Sequence, residues 1–262
     1  MHFGDVSFSV AAHTAWAPGL STAAAWQEWA QDRKNIGVAG EPPVKNMPPM
    51  LRRRASLTGR MALEAAYQCL PEQASMPIIF ASRHGECARS VELLRELVNH
   101  APLSPASFSL SVHNATAGLL SIARGDHANH IAIAAGASTI EHALIEACSL
   151  LADGMTQVLL VASDSPPPAA LLIYKDCPEE SFAWAWLLQK VDSASTTNGD
   201  HFSLSWSSHD PSGQLLPIAP EEPPRAVSSV PAGLEILRFF LRHEAELKRV
   251  ANGRLWRWAR HA

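Results

Sequence analysis

Residues 130–163, HIAIAAGASTIEHALIEACSLLADGMTQVLLVAS, constrain the fold more than any other stretch of the chain. Residues 131–135 are a short apolar run of the kind that forms a buried strand. Gly136 follows and supplies a sharp turn. Ser138 or Thr139 can then cap a helix to about residue 152, with Ala143, Leu144, Ala147, Cys148 and Leu151 at helical spacing. Asp153-Gly154 stops it, and residues 158–161 read as the next buried strand. Strand, turn, helix and strand in this order make a βαβ unit, which implies parallel strands and a right-handed crossover. A side chain at such a turn sits at a helix N-terminus, where free N–H groups and the dipole favour an anion. A cysteine there has a depressed pKa and becomes a good nucleophile. The nearest cysteine is Cys148, three helical turns further on and on the apolar side, where a small core residue is the natural reading.

Elsewhere the pattern alternates between strands and helices. Residues 6–11 read as a strand. Ser21 can cap a helix through Trp26 and Trp29 to about residue 31. Residues 35–50 contain Pro42, Pro43, Pro48 and Pro49 and read as a loop. Arg52, Arg53 and Arg54 lead into a helix over residues 56–69. Residues 77–82 form a strand that runs into Arg83-His84-Gly85-Glu86. Val91, Leu94 and Leu97 mark one side of an amphipathic helix over residues 87–99, and residues 101–107 are a loop. Strands are expected at 171–174, 181–190 and 202–206. Residues 210–231 are rich in Pro, Ser and Glu and read as a linker. Leu234, Leu237, Phe240, Leu241 and Leu247 predict a helix over residues 232–250, followed by a basic, aromatic tail, GRLWRWARHA. The expected organisation is a domain at 1–209, the linker at 210–231 and a helical tail at 232–262.

Size and charge narrow the function. With 262 residues the chain can bury a substantial core, and a net charge of -4 argues against nucleic-acid binding by bulk electrostatics. The four cysteines are scattered without a CxxC pair, which fits a reducing cytoplasm. No run of about 18 apolar residues predicts a membrane span, and the N-terminus reads as a strand instead of a signal peptide. His113, His127, His130 and His142 lack the Cys or carboxylate spacing of a metal site.

Residues 136–147, GASTIEHALIEA, resemble the nucleophile elbow of the β-ketoacyl synthases, A-C-x-[ST]-x-x-H-[AC]-[IL]-x-x-A. Ser111-Val112-His113-Asn114-Ala115-Thr116-Ala117-Gly118 resembles that family's S-x-x-N-x-x-A-G segment, and the spacing from Asn114 to the turn agrees without a gap. The arginine run before Ser56 is similar to the approach to the family's first long helix. The resemblance covers about residues 1–210 and implies an α/β thiolase-like half, a mixed, mainly parallel five-stranded sheet with flanking helices.

The same resemblance places the family's acyl-accepting cysteine at Ala137, whose methyl cannot form a thioester. The second half of the family normally supplies two histidines, one in an HGTGT loop, and no such loop occurs here. The resemblance therefore implies a non-catalytic subunit; no cofactor is expected, and the histidine spacing gives no reason to expect a metal. It is similar to chain-length factors, and most of all to the short ketosynthase-like proteins of aryl polyene clusters. A complete β-ketoacyl synthase would be its heterodimer partner, and the acyl tunnel and interface would involve Ser107, Phe108, Val112, Asn114, Gly118, Ile131, Ile133 and Ala135. Acyl carrier protein, being acidic, would meet Arg52, Arg53, Arg54, Arg254, Trp256, Arg257 and Trp258. The rival reading is an acyltransferase or other ketosynthase-like enzyme that uses Ser138 or Cys148.

Overall fold

The computed structural model describes residues 4–191, 200–208 and 230–261, apart from 35, 38 and 73. β1 (Gly4–Trp16) crosses the middle of the sheet and bulges between Val10 and Ala12. Thr22 caps α1 (Ala23–Gln31) by accepting from the Ala25 N–H, one residue after the expected Ser21. A single turn, α2 (Pro49–Arg52), starts on a proline, whose missing N–H costs nothing there. Ser56 caps α3 (Leu57–Cys69), whose Met61, Leu63, Ala65 and Ala66 are fully buried. Then come β2 (Ile78–Ala81), α4 (Cys87–Val98), α5 (Pro105–Ser109), α6 (Ala115–Arg124) and β3 (His130–Ile133). A 3-10 turn at Gly136–Ser138 leads into α7 (Thr139–Ala152) and β4 (Gln157–Asp164). β5 (Phe182–Gln189), β6 (Asp200–Ser208), α8 (Ala232–Leu241), β7 (Glu246–Ala251) and β8 (Arg254–His261) complete the described chain.

The strands form one eight-stranded sheet in the order β3-β2-β4-β5-β1-β6-β8-β7. β2 pairs in parallel with β3 and β4, as the βαβ reading requires, and the other neighbouring pairs are antiparallel. The α/β class therefore holds. The sheet is larger than the five strands expected and is not mainly parallel. The cause lies in the connections: no α-helix separates β4 from β5, so no crossover can return the chain to a parallel neighbour.

Two further expectations are corrected. Residues 171–174 belong to a 3-10 turn, Ala169–Tyr174, which leaves Ile173 and Tyr174 exposed; the prolines at 166–168 direct the chain away from the sheet. The C-terminal segment is not a helical tail. Its helix ends at Leu241, and β7 and β8 form a hairpin around Asn252-Gly253 with φ of +51° and +69°. Asn-Gly is the pair that tolerates two positive φ angles, and its twist suits a two-residue hairpin. This hairpin pairs with β6, so residues on both sides of the expected boundary at 209 share one sheet. The expected linker falls almost wholly outside the described residues.

Each face of the sheet carries its own core. On one, α3 and α6 bury Met61, Leu63, Leu119 and Leu120 against Leu159, Val161 and Leu187. On the other, α1, α7 and α8 cover an aromatic cluster of Phe8, Trp184, Trp186, Phe202, Trp256 and Trp258. Trp256 and Trp258 are both 0% exposed, and burial of a side chain this large contributes roughly 4–6 kcal/mol of transfer free energy. Thus α8 and the hairpin supply much of this second core. Among the described residues no helix is long and apolar enough to cross a membrane.

Candidate functional site

The elbow between β3 and α7 is built from short-range bonds. Gly136 has φ +56°, which an alanine would adopt only with strain. The Thr139 hydroxyl donates to the Gly136 carbonyl at 2.8 Å and accepts from the Ala135 N–H at 3.0 Å. Ser138 is fully buried, and its hydroxyl donates to the Ala135 carbonyl. His142 donates from Nδ1 to the Ser138 carbonyl at 2.9 Å.

The C-terminal hairpin closes over this turn. Asn252 Nδ2 donates to the Ala135 carbonyl at 2.7 Å and to the Ser138 hydroxyl at 2.8 Å. Arg249 donates to the Ala137 carbonyl, pairs with the fully buried Glu141 and reaches Glu235 of α8 at 2.8 Å. Burial alone would lower the pKa of Arg249, but the two carboxylates outweigh it and raise it. Arg254 donates to His142 Nε2 and lies over Trp256. β3 and β7 are opposite edges of the sheet, yet the residues that follow them meet here. The sheet therefore curls around α7.

A cavity of about 520 Å³ opens beside the turn, lined by Ala137, Ile140, Phe182, Pro231, Arg249 and Cys177, among others. Its far wall is an ionic cluster. Arg83 donates to Cys177 Sγ at 2.7 Å and to both oxygens of Asp176 at 2.6 Å. His84 Nε2 lies 2.9 Å from Glu179, which raises the pKa of that histidine. Asp164 accepts from the Arg83 and His84 N–H groups and from Ser82; desolvation nevertheless raises its pKa.

The profile of the beta-ketoacyl synthase N-terminal domain matches residues 26–259, most of the chain. The chain belongs to this family. Among solved structures, it resembles a chain of a ketosynthase (ApeO) in complex with its chain length factor (ApeC) from Xenorhabdus doucetiae. That match has TM-score 0.77 and 24% identity over 97% of this chain and 99% of that one. The ishigamide ketosynthase/chain length factor matches with TM-score 0.56 and 15% identity, over 72% of this chain and 63% of that one. A beta-ketoacyl synthase from Burkholderia phymatum matches with TM-score 0.51 and 12% identity, over 78% and 64%. At these identities the likeness establishes the fold. No curated protein matches the chain.

Ala137, the residue to which the sequence resemblance assigns the family's nucleophile position, lines this cavity. The alternative nucleophiles named from the sequence are poorly placed. The Ser138 hydroxyl is buried and engaged on both sides. Cys148 lies in the α7 core, where burial pushes its thiol to about 12. Cys177 was missed as a cavity residue, because sequence spacing gives no sign that the segment after β4 folds back to the elbow. Its thiol is pushed to about 12 by burial and by Glu179, against the opposing influence of Arg83. Neither thiol supplies thiolate near neutral pH.

The predicted interface residues gather elsewhere. Ile131, Ile133 and Ala135 are half-buried on or just after β3, an edge of the sheet among the described residues. Phe108 is 68% exposed and Val112 46%, on and after α5; Asn114 is exposed, while Ser107 and Gly118 are half-buried. None of them lines the elbow cavity. The basic residues divide. Arg53 and Arg54 are exposed, whereas Arg52 donates to the Pro43 and Val44 carbonyls. Arg254 is held at His142, and Arg257 pairs with Glu246. Trp256 and Trp258 are core side chains, not surface contacts. Strand alternation in LWRWAR turns both rings inward and leaves Arg257 outside.

Proposed function

We propose that this chain is a non-catalytic, chain-length-factor-like subunit that pairs with a complete β-ketoacyl synthase. It shapes the acyl tunnel in a type II fatty acid or polyketide system of the aryl polyene kind. The observation that carries this reading is Ala137: the elbow and its cavity are kept, and the atom that would accept the acyl group is not. Three further features support it. Ser138, Cys148 and Cys177 are each unsuited to covalent catalysis. Among the described residues β3 is an edge of the sheet, and Phe108 and Val112 are exposed apolar side chains on and after α5; an open edge and exposed apolar groups suit pairing with a second protein. The matched chain of the ApeO–ApeC complex is covered over 99% of its length, so it is as short as this one, whereas the Burkholderia synthase is covered over 64%.

Condensation takes place in the partner, in the cytoplasm, on chains delivered by an acyl carrier protein. Arg53 and Arg54 present positive charge to that acidic protein. Incubation of the purified chain with acylated carrier protein, read by intact mass spectrometry, tests the reading. The expected result is an unmodified chain, with or without Ser138→Ala. A stoichiometric acyl adduct on Cys177, Cys148 or Ser138 would overturn it.

A further inference from the structure

We propose that the turn of the C-terminal hairpin is a clamp on the elbow, and that Asn252 and Arg249 are positioning residues that hold the end of β3 for partner pairing. The inference rests on the heterodimer reading above.

The geometry has three parts. Ala135 lies two residues beyond β3, and its carbonyl would otherwise be satisfied only by Ser138. Asn252 spends both N–H groups of its amide on this turn, at the Ala135 carbonyl and the Ser138 hydroxyl. Arg249, 8% exposed, ties the Ala137 carbonyl to the buried Glu141 in the first turn of α7, so turn and helix move together. The bond between Asn252 and Ala135 is exposed to solvent, so its loss leaves no buried group unpaired. Ser138 keeps its bond to the Ala135 carbonyl when Asn252 is replaced, so the Asn252 half of the clamp acts chiefly on the position of the turn and only slightly on global stability, whereas Arg249 also holds the buried ion cluster. Without the clamp, the end of this four-residue edge strand keeps its pairing with β2 and the local bonds of Ser138 and Thr139, and loses its tie to the hairpin.

Asn252 has two separable roles, which makes the test clean. Its backbone forms the hairpin turn at positive φ, and its side chain makes the clamp. Glycine and aspartate both suit that turn, and neither can donate to the elbow. Asn252→Gly and Asn252→Asp should therefore keep the hairpin and its melting temperature. Amide hydrogen exchange of the isolated chain should quicken about tenfold over residues 135–139 and stay unchanged in β5 and β8. Titration against the partner synthase should show Kd weakened about five- to tenfold, the size of one or two lost hydrogen bonds. Unchanged exchange over residues 135–139 would overturn the clamp, and faster exchange with an unchanged Kd would overturn its role in pairing. Failure of the wild-type chain to bind the synthase would sink the heterodimer reading instead, since the exchange measurement needs no partner.

Discussion

The two edges of the sheet have opposite characters. β3 is short and parallel to β2, and α6, which packs against it, leaves Ile122 exposed; Phe108 and Val112 are exposed on and after α5. β7 is antiparallel to β8, carries Glu246, Lys248 and Arg249, and folds back over α7. Charge on an edge strand discourages pairing with another chain, and a bare apolar edge invites it. The comparison teaches that one side of this fold is fastened internally by the hairpin, while the β3 side, on the function proposed above, is where a partner would pair.

Breaking the β7 side should have the largest effect. Arg249→Met leaves Glu141 buried without its cation, and Glu141 Oε2 already has no partner among the described residues. Loss of about 3–5 kcal/mol is expected in urea unfolding. Adding Glu141→Leu and Glu235→Leu should recover most of it, because a buried ion cluster can be replaced by apolar packing at little cost. If Arg249→Met alone left stability unchanged, the hairpin would not be fastened where we place it.

The β3 side should respond in affinity and not in stability. Phe108→Glu puts a charge on the exposed patch, so the melting temperature should stay within a degree or so while synthase binding weakens about a hundredfold. Equal loss of both would mean that Phe108 supports the fold instead of an interface.

The smallest effect concerns the cavity wall that lies between the two sides. The pKa of His84 is raised in the folded chain, first through its hydrogen bond to Glu179. The folded state therefore binds this proton more tightly than the unfolded chain does. That stabilisation is fully present below pH 6.5, the ordinary histidine value, and is lost as pH rises through the raised folded pKa. His84→Gln should flatten the fall in stability between those values by well under 1 kcal/mol, since the pair is partly solvated.

The sequence was most readable where local chemistry and tertiary packing agree. The βαβ unit announced itself through a glycine at a turn and two apolar strands, and the Ser56 cap set the start of α3. The C-terminal region was misread because Leu247 happens to continue the spacing of Leu234, Leu237 and Leu241. Asn252-Gly253 between LKRVA and RLWRWAR was the signal that should have outweighed it, being a hairpin turn between alternating segments. With that hairpin missed, Arg249 and Asn252 were invisible as elbow residues. Cys177 illustrates a harder limit. Its position in the cavity depends on Arg83 and His84 gathering Asp176, Cys177 and Glu179 across some 90 residues of chain, and no local pattern encodes that.

The central claim, a scaffold without its own nucleophile that serves a second protein, is tested most directly by co-expression with the complete synthase and mass determination of the purified species. A one-to-one heterodimer, with acyl groups from carrier protein found on the synthase alone, is the predicted result. A chain that elutes by itself beside a fully active synthase would contradict the account.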